Sequence, residues 1–419
     1  MSRRLTYERV RLPLLMRACN RVARGAARLG LAAAPMRAES ILRRATKRSG
    51  LADFGDGDVG EPLAVLVDSL EHEAALTPLG HKSIEFALVE TLAKRLRIVD
   101  HVARHPAVGR QTIERPVFVV GFPRSGTTLL FNLLAQDPAA RPLLGWEASE
   151  PLPRRPPRPG RRDPRIRRHR RSLRRLDHIV PELRKVHELT AEGPEECNLL
   201  LMRSLVTWFY GLLTRVPSYE RWLASRPRST FNAAYRLHRA QLQALQHQRR
   251  GERWLLKSPL HLNTLDALVE VYPDACIVQT HRDPAKVHPS SCSLIALTRS
   301  IFSDRIDPVA IGREALDEGL RRVDRLLAMR ETLSADRVYD VRYAELTDDP
   351  PRTLRAIYDH FGLSWPDGME RRVRGWLASS PRHKHGVHRY ALEAFGTTAA
   401  EIDRLSSGYR ERFGVPRER

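Results

Sequence analysis

The sequence predicts an α/β protein: a P-loop-like, three-layer fold built on a small parallel sheet, with helical N- and C-terminal additions. Three observations lead there. The run Pro116 to Val120, rich in Val and Phe and bounded by proline and glycine, reads as a buried parallel strand. Gly121 to Ser125 then turn the chain into Gly126 to Ala135, where apolar residues fall at helical spacing. Two later apolar runs, Trp254 to Leu256 and Cys276 to Gln279, repeat the strand pattern, and a helix start follows the second at Asp283-Pro284.

A chain of 419 residues can bury a large core. The expected organisation is a helical N-terminal region over 1–110, an α/β core over 111–366 and a C-terminal helical extension over 367–419. Lys and Arg number 71 against 49 acids, for a net charge of +22 and a pI near 10.7, yet only seven of those cations are Lys. Such a balance suits polyanions, anionic lipid surfaces or an acidic substrate; an Arg-rich solvated surface around one anion site explains it equally well. Cys19, Cys197, Cys276 and Cys292 show neither CxxC spacing nor a paired His pattern, so neither a disulfide framework nor a zinc site is expected. With no run of eighteen apolar residues, no transmembrane helix is expected.

Taken in order, the first thirty-six residues are basic and acid-poor, and Arg17, Arg21, Arg24 and Arg28 interrupt any signal-peptide core. The expectation is a cytoplasmic protein, with a peripheral amphipathic helix here as the route to membrane contact. Leu63, Leu66, Val67 and Leu70 mark one helix face, and Ile84, Ala87, Leu88, Leu92 and Leu96 a second, with the acidic loop Asp53 to Glu61 before them. The loop after the first strand is the chemical centre. Gly121-Phe-Pro-Arg-Ser-Gly126 satisfies GxxxxG, but Thr127-Thr128 stand where an NTPase has Lys followed by Ser or Thr. The cation has moved inside the loop, to Arg124. Unpaired N–H groups at a helix start, with a guanidinium fork beside them, make an anion cradle.

FPRSGTT resembles the 5′-phosphosulfate-binding loop of sulfotransferases that use 3′-phosphoadenosine 5′-phosphosulfate (PAPS). Arg124 is similar to the Arg of the tyrosylprotein and many bacterial members, where the cytosolic ones have Lys. The resemblance covers roughly residues 113 to 400. It implies transfer of a sulfonyl group from PAPS to an acceptor hydroxyl without a metal, with Pro123, Arg124, Ser125, Gly126, Thr127 and Thr128 holding the donor. Lys257, at the end of the strand in RWLLKSPLHL, would stabilise the leaving oxygen. Arg282, and Ser290 eight residues on, match the family's 3′-phosphate pair, and Tyr343 of RVYDVRYAEL would lie near the adenine.

The resemblance leaves the base open. Glu147, with Glu150 beyond it, lies a similar distance past the loop as the base of tyrosylprotein sulfotransferases, given a two-residue insertion; its other reading is a structural partner for an arginine. The cytosolic enzymes' histidine position is Pro259 here, so His261 is the second choice. Apart from the base, the PEE of the EGPEE segment, read as a helix start, recurs in the bacterial members it resembles, which makes Glu196 a site candidate. Trp208, Phe209 and Tyr210 read as core or acceptor pocket. His383, Lys384 and His388 could close over the 3′-phosphate. The segment 154–175, RRPPRPGRRDPRIRRHRRSLRR, lacks aromatics, so no specific nucleic acid is expected. A small-molecule or glycolipid acceptor is the expected partner. A P-loop kinase or NTPase, and an Arg-rich RNA- or membrane-binding protein with a degenerate nucleotide site, are the alternatives.

Overall fold

The computed structural model describes residues 10, 12–31, 34–153, 160–186, 189–380 and 391–418. Its centre is a five-stranded sheet formed by β1 (Val117–Gly121), β2 (Ala140–Pro142), β3 (Arg253–Lys257), β4 (Cys276–His281) and β5 (Val338–Arg342). Every pairing is parallel and the spatial order is β2-β3-β1-β4-β5. In register, Val119 faces Lys257, Gly121 faces Thr280 and His281 faces Arg342. β1, β3 and β4 therefore end together on one edge.

Alternate side chains of these buried strands serve two layers. Val117, Val119, Leu255 and Val278 pack with Leu130 and Leu134 of the helix Thr127–Leu134 and with Leu354 and Ile357 of Pro350–His360. Phe118, Val120, Leu256 and Ile277 share the other core with Leu63, Leu66, Leu88 and Leu92 of the N-terminal helices and with Tyr235, Leu242 and Leu268. The helices before residue 110 thus complete the layer on one sheet face. Arg95 of the helix Pro78–Arg104 is buried there, donating to the carbonyls of Phe54 (2.7 Å), Asp56 (2.6 Å) and Ser204 (3.3 Å). Burial lowers its pKa to about 10.

Most expected elements fall within a residue or two of their sequence positions. β2 is a strand the sequence did not announce: with three residues and one proline it has no periodicity, and its pairing with β3 defines it. EGPEE is corrected from a helix start. It bends at Glu192 and Gly193 and then bridges Pro194 to Leu144, and the helix begins later as Asn198–Leu201. In the basic segment a helix forms at Pro164–Ile179, capped by Asp163. Residues 154–159, and the candidates His383, Lys384 and His388, lie outside the described residues.

Candidate active site

The chain leaves β1 between β3 and β4, so the loop sits where the sheet's connections diverge to either side. Gly126, at φ +98°, closes the loop in a conformation that disfavours a side chain; a Cβ there would meet the Tyr343 ring at 2.7 Å. Arg124 also adopts a positive φ, +72°. The first turn of Thr127–Leu134 has no carbonyl ahead of it, so its N–H groups are available to an anion.

Three strand ends supply the rest. Lys257, 1% exposed, sends its ammonium to Thr128 Oγ1 (3.1 Å) and to the Glu196 carboxylate, which also accepts from Asn198. Arg282, just past β4, donates from Nη1 to the Arg124 carbonyl (3.2 Å) and lies over the Tyr343 ring at 4.0 Å. Its Nε and Nη2 form a fork on Glu418, at 2.8 Å each, and the Glu418 N–H is held by Asp283. Arg124 Nε donates to Ser290 Oγ at 3.0 Å. Arg124, Thr128, Glu196, Arg282 and Tyr343 line a cleft of about 1520 Å³, larger than the roughly 300–1,000 Å³ usual for one small ligand.

Pro123, Gly126 and Thr127 also line this cleft, whereas Ser125 and Ser290 are buried behind it. Ser125 is corrected from a donor toward ligand: its N–H and hydroxyl both go to the Phe122 carbonyl, and its oxygen contacts Thr280 Oγ1 (2.6 Å). It shapes the loop. Glu147 is corrected as the base. It is 1% exposed, bound by both Arg141 terminal nitrogens at 2.8 Å and by the Leu144 N–H at 3.1 Å, and it lies outside the cleft lining. Glu150 is held by Arg168 at 2.9 Å. His261 is corrected too: it is fully buried against Phe118 and hydrogen-bonded to the Tyr235 hydroxyl at 2.8 Å. Burial pushes its pKa far down. The Cys197 N–H, donating to the Lys257 carbonyl at 2.9 Å, brings Glu196 beside the end of β3, a meeting that the 61 residues between them conceal in the sequence.

A glycine-closed turn between strand and helix opens here into a cleft lined by both cations and apolar side chains. The model of the sulfotransferase family matches residues 116–367, and the chain belongs to that family. It is a sulfotransferase, moving a sulfonyl group to an acceptor hydroxyl. The crystal structure of sulfotransferase STF1 from Mycobacterium tuberculosis H37Rv is 34% identical, with a TM-score of 0.74, covering 89% of this chain and 99% of that one. That of STF9 from Mycobacterium avium is 29% identical, with a TM-score of 0.81, over 90% and 97%. The omega-hydroxy-beta-dihydromenaquinone-9 sulfotransferase Stf3 of Mycobacterium bovis is 26% identical over 342 residues, 75% of this chain and 81% of that protein.

Proposed function

We propose that the chain transfers the sulfonyl group of PAPS to the hydroxyl of a largely apolar alcohol, with Glu196 as base. Lys257, buried beneath the cleft lining, meets Thr128 and Glu196, which line it, and that meeting carries this reading. The donor fits the residues present: N–H groups of the Thr127 turn and Arg124 would hold its 5′ end, and Arg282 and Tyr343 its 3′-phosphorylated nucleoside. It supplies an activated sulfonyl group whose bond to a phosphate oxygen breaks as the bond to the acceptor oxygen forms. Glu196 takes the hydroxyl proton, and Lys257 places positive charge where the departing oxygen becomes anionic.

Glu196→Gln is expected to lower kcat about 10²–10⁴-fold, and Lys257→Ala by a comparable factor. Both variants should keep a thermal shift with 3′,5′-ADP that AMP and magnesium-ATP do not produce. Full transfer activity in Glu196→Gln would remove it as base, and a shift with magnesium-ATP alone would overturn the donor.

The apolar lining, including Leu173, Leu199, Leu260 and Leu294, supports a lipid-like acceptor, in keeping with the hydroxylated dihydromenaquinone for which the mycobacterial Stf3 is named. Such an acceptor is met at a lipid surface, and the helix Leu14–Arg28 suits one. Leu14, Leu15 and Val22 are each more than 70% exposed, and Arg17, Arg21 and Arg28 follow an adjoining face. Among the described residues no helix is long and apolar enough to cross a membrane. Sedimentation with vesicles rich in anionic lipid should fall severalfold on Leu14→Ser with Leu15→Ser; unchanged sedimentation would discard the contact.

A further inference from the structure

Three contacts run side by side where the start of the helix Asn198–Leu201 meets the end of β3. In the middle, the Cys197 N–H donates to the Lys257 carbonyl at 2.9 Å. On one side of that bond the Lys257 ammonium pairs with the Glu196 carboxylate. On the other the Ser258 hydroxyl donates to Asn198 Oδ1 at 2.6 Å. Asn198 ties the outer two together, because its Nδ2 donates to the second oxygen of Glu196. Ser258 is itself fixed from behind: it is fully buried, and its oxygen accepts the Leu260 N–H at 3.1 Å, where it caps the turn Pro259–Asn263.

This chain of donors has one consistent direction. Ser258 has a single proton to give, and Asn198 Oδ1 takes it. A reversed amide would set its oxygen against the Glu196 carboxylate and leave the Ser258 proton without an acceptor there. Nδ2 therefore faces Glu196, and a donor in that place favours the ionised carboxyl that can take up a proton. The charged and titratable groups beside it are Lys257 on β3 and, on its own segment, Glu195 and the Cys197 thiol, which burial keeps un-ionised. Lys257 also reaches the loop, at Thr128 Oγ1 (3.1 Å). A carboxylate tied to that ammonium alone would move with it. Asn198 anchors the other oxygen to a turn that is held by its own backbone bond.

We infer that Asn198, oriented by Ser258, is a positioning residue for the transfer reaction, which holds the Glu196 carboxylate at the cleft independently of Lys257. The inference rests on the reading of Glu196 as the base. Asn198 acts through Glu196, so its removal should change how readily that carboxyl ionises as well as how fast the enzyme turns over.

The test uses the full chain with PAPS and dodecanol. Alongside turnover, infrared difference spectroscopy follows the ionisation of Glu196 as the carboxylate band that Glu196→Gln lacks. Asn198→Ala should lower kcat about tenfold, the scale of one hydrogen bond, with KM for dodecanol little changed. Loss of the donor should also move the acid limb of kcat and the infrared titration up by about one pH unit. Asn198→Asp, nearly isosteric, replaces the donor with a second carboxylate and should move both further the same way. Ser258→Ala should give a smaller effect that disappears in the Asn198→Ala background, because the two act as one chain. A retained thermal shift with 3′,5′-ADP shows that each variant is folded. An unmoved infrared titration in Asn198→Ala, or additive effects of the two substitutions, would overturn the positioning role. Full transfer by Glu196→Gln would instead overturn the base on which it rests. No transfer to dodecanol by the parent would overturn the apolar-alcohol reading, while the infrared titration still decides the role of Asn198.

Discussion

Glu147 and Glu196 show how one residue type divides into two roles by what surrounds it. Glu147 closes a buried bidentate pair with Arg141, whose own pKa is lowered by burial and whose guanidinium lies 4.1 Å from the Trp254 ring. Removing one partner of such a pair strands the other charge. Glu147→Gln is therefore expected to cost about 3 kcal/mol in denaturant unfolding while leaving kcat within twofold or so; a large kcat loss at unchanged stability would return it to the chemistry. The sequence offered Glu147 as the base, by its distance past the loop, and Glu196 only as a site residue of a segment that recurs in bacterial members. Only the partners, Arg141 for one and Lys257 for the other, tell them apart. Gly126 was legible from the motif alone, and in this loop it takes the positive φ that glycine tolerates best.

At the scale of elements, the parallel sheet converts sequence distance into proximity. The loop after β1, Lys257 ending β3 and Arg282 just past β4 reach one edge because all three strands run the same way. The C-terminal segment reaches it as well, where Glu418 occupies the outward fork of Arg282 and Arg417 pairs with Asp403 at 3.1 Å. A phosphate that binds Arg282 must displace or share with that carboxylate. Glu418→Gln is expected to tighten 3′,5′-ADP binding a fewfold, the scale of a partly exposed ion pair, and the gain should vanish in the Arg282→Ala background. Equal affinities of parent and Glu418→Gln would show that the pair does not compete with nucleotide. Nothing in the sequence pointed to Glu418, which lies 136 residues from its partner in a segment without a motif.

Across the whole molecule, burial of histidines sets the response to acid. Burial lowers His238 to about 3 and His288 to about 4, and holds His261 well below its ordinary value. Each is neutral in the folded protein and protonates near pH 6.5 in the unfolded chain. Between those limits the unfolded state binds more protons, so stability falls as pH drops, by about 1.4 kcal/mol per group per pH unit. Glu220, raised to about 7, works the other way over part of the range but is a single group. Urea midpoints should therefore decline steadily from pH 7 toward pH 5; a flat profile would mean that these rings are hydrated in the folded state.

The sequence by itself determined the strand-loop-helix unit, the glycine-bounded loop, the cations at strand ends and the family they belong to. Each depends on residues adjacent in the chain: apolar runs of strand length, glycines at the turn, an Asp-Pro helix start. Tertiary structure alone decided the three-residue β2, the non-helical path of EGPEE and the withdrawal of Glu147, Ser125 and His261 from the cleft. Those outcomes depend on which segment packs over which. A carboxylate's role follows from the dielectric and the donors around it, and both are supplied by distant parts of the chain.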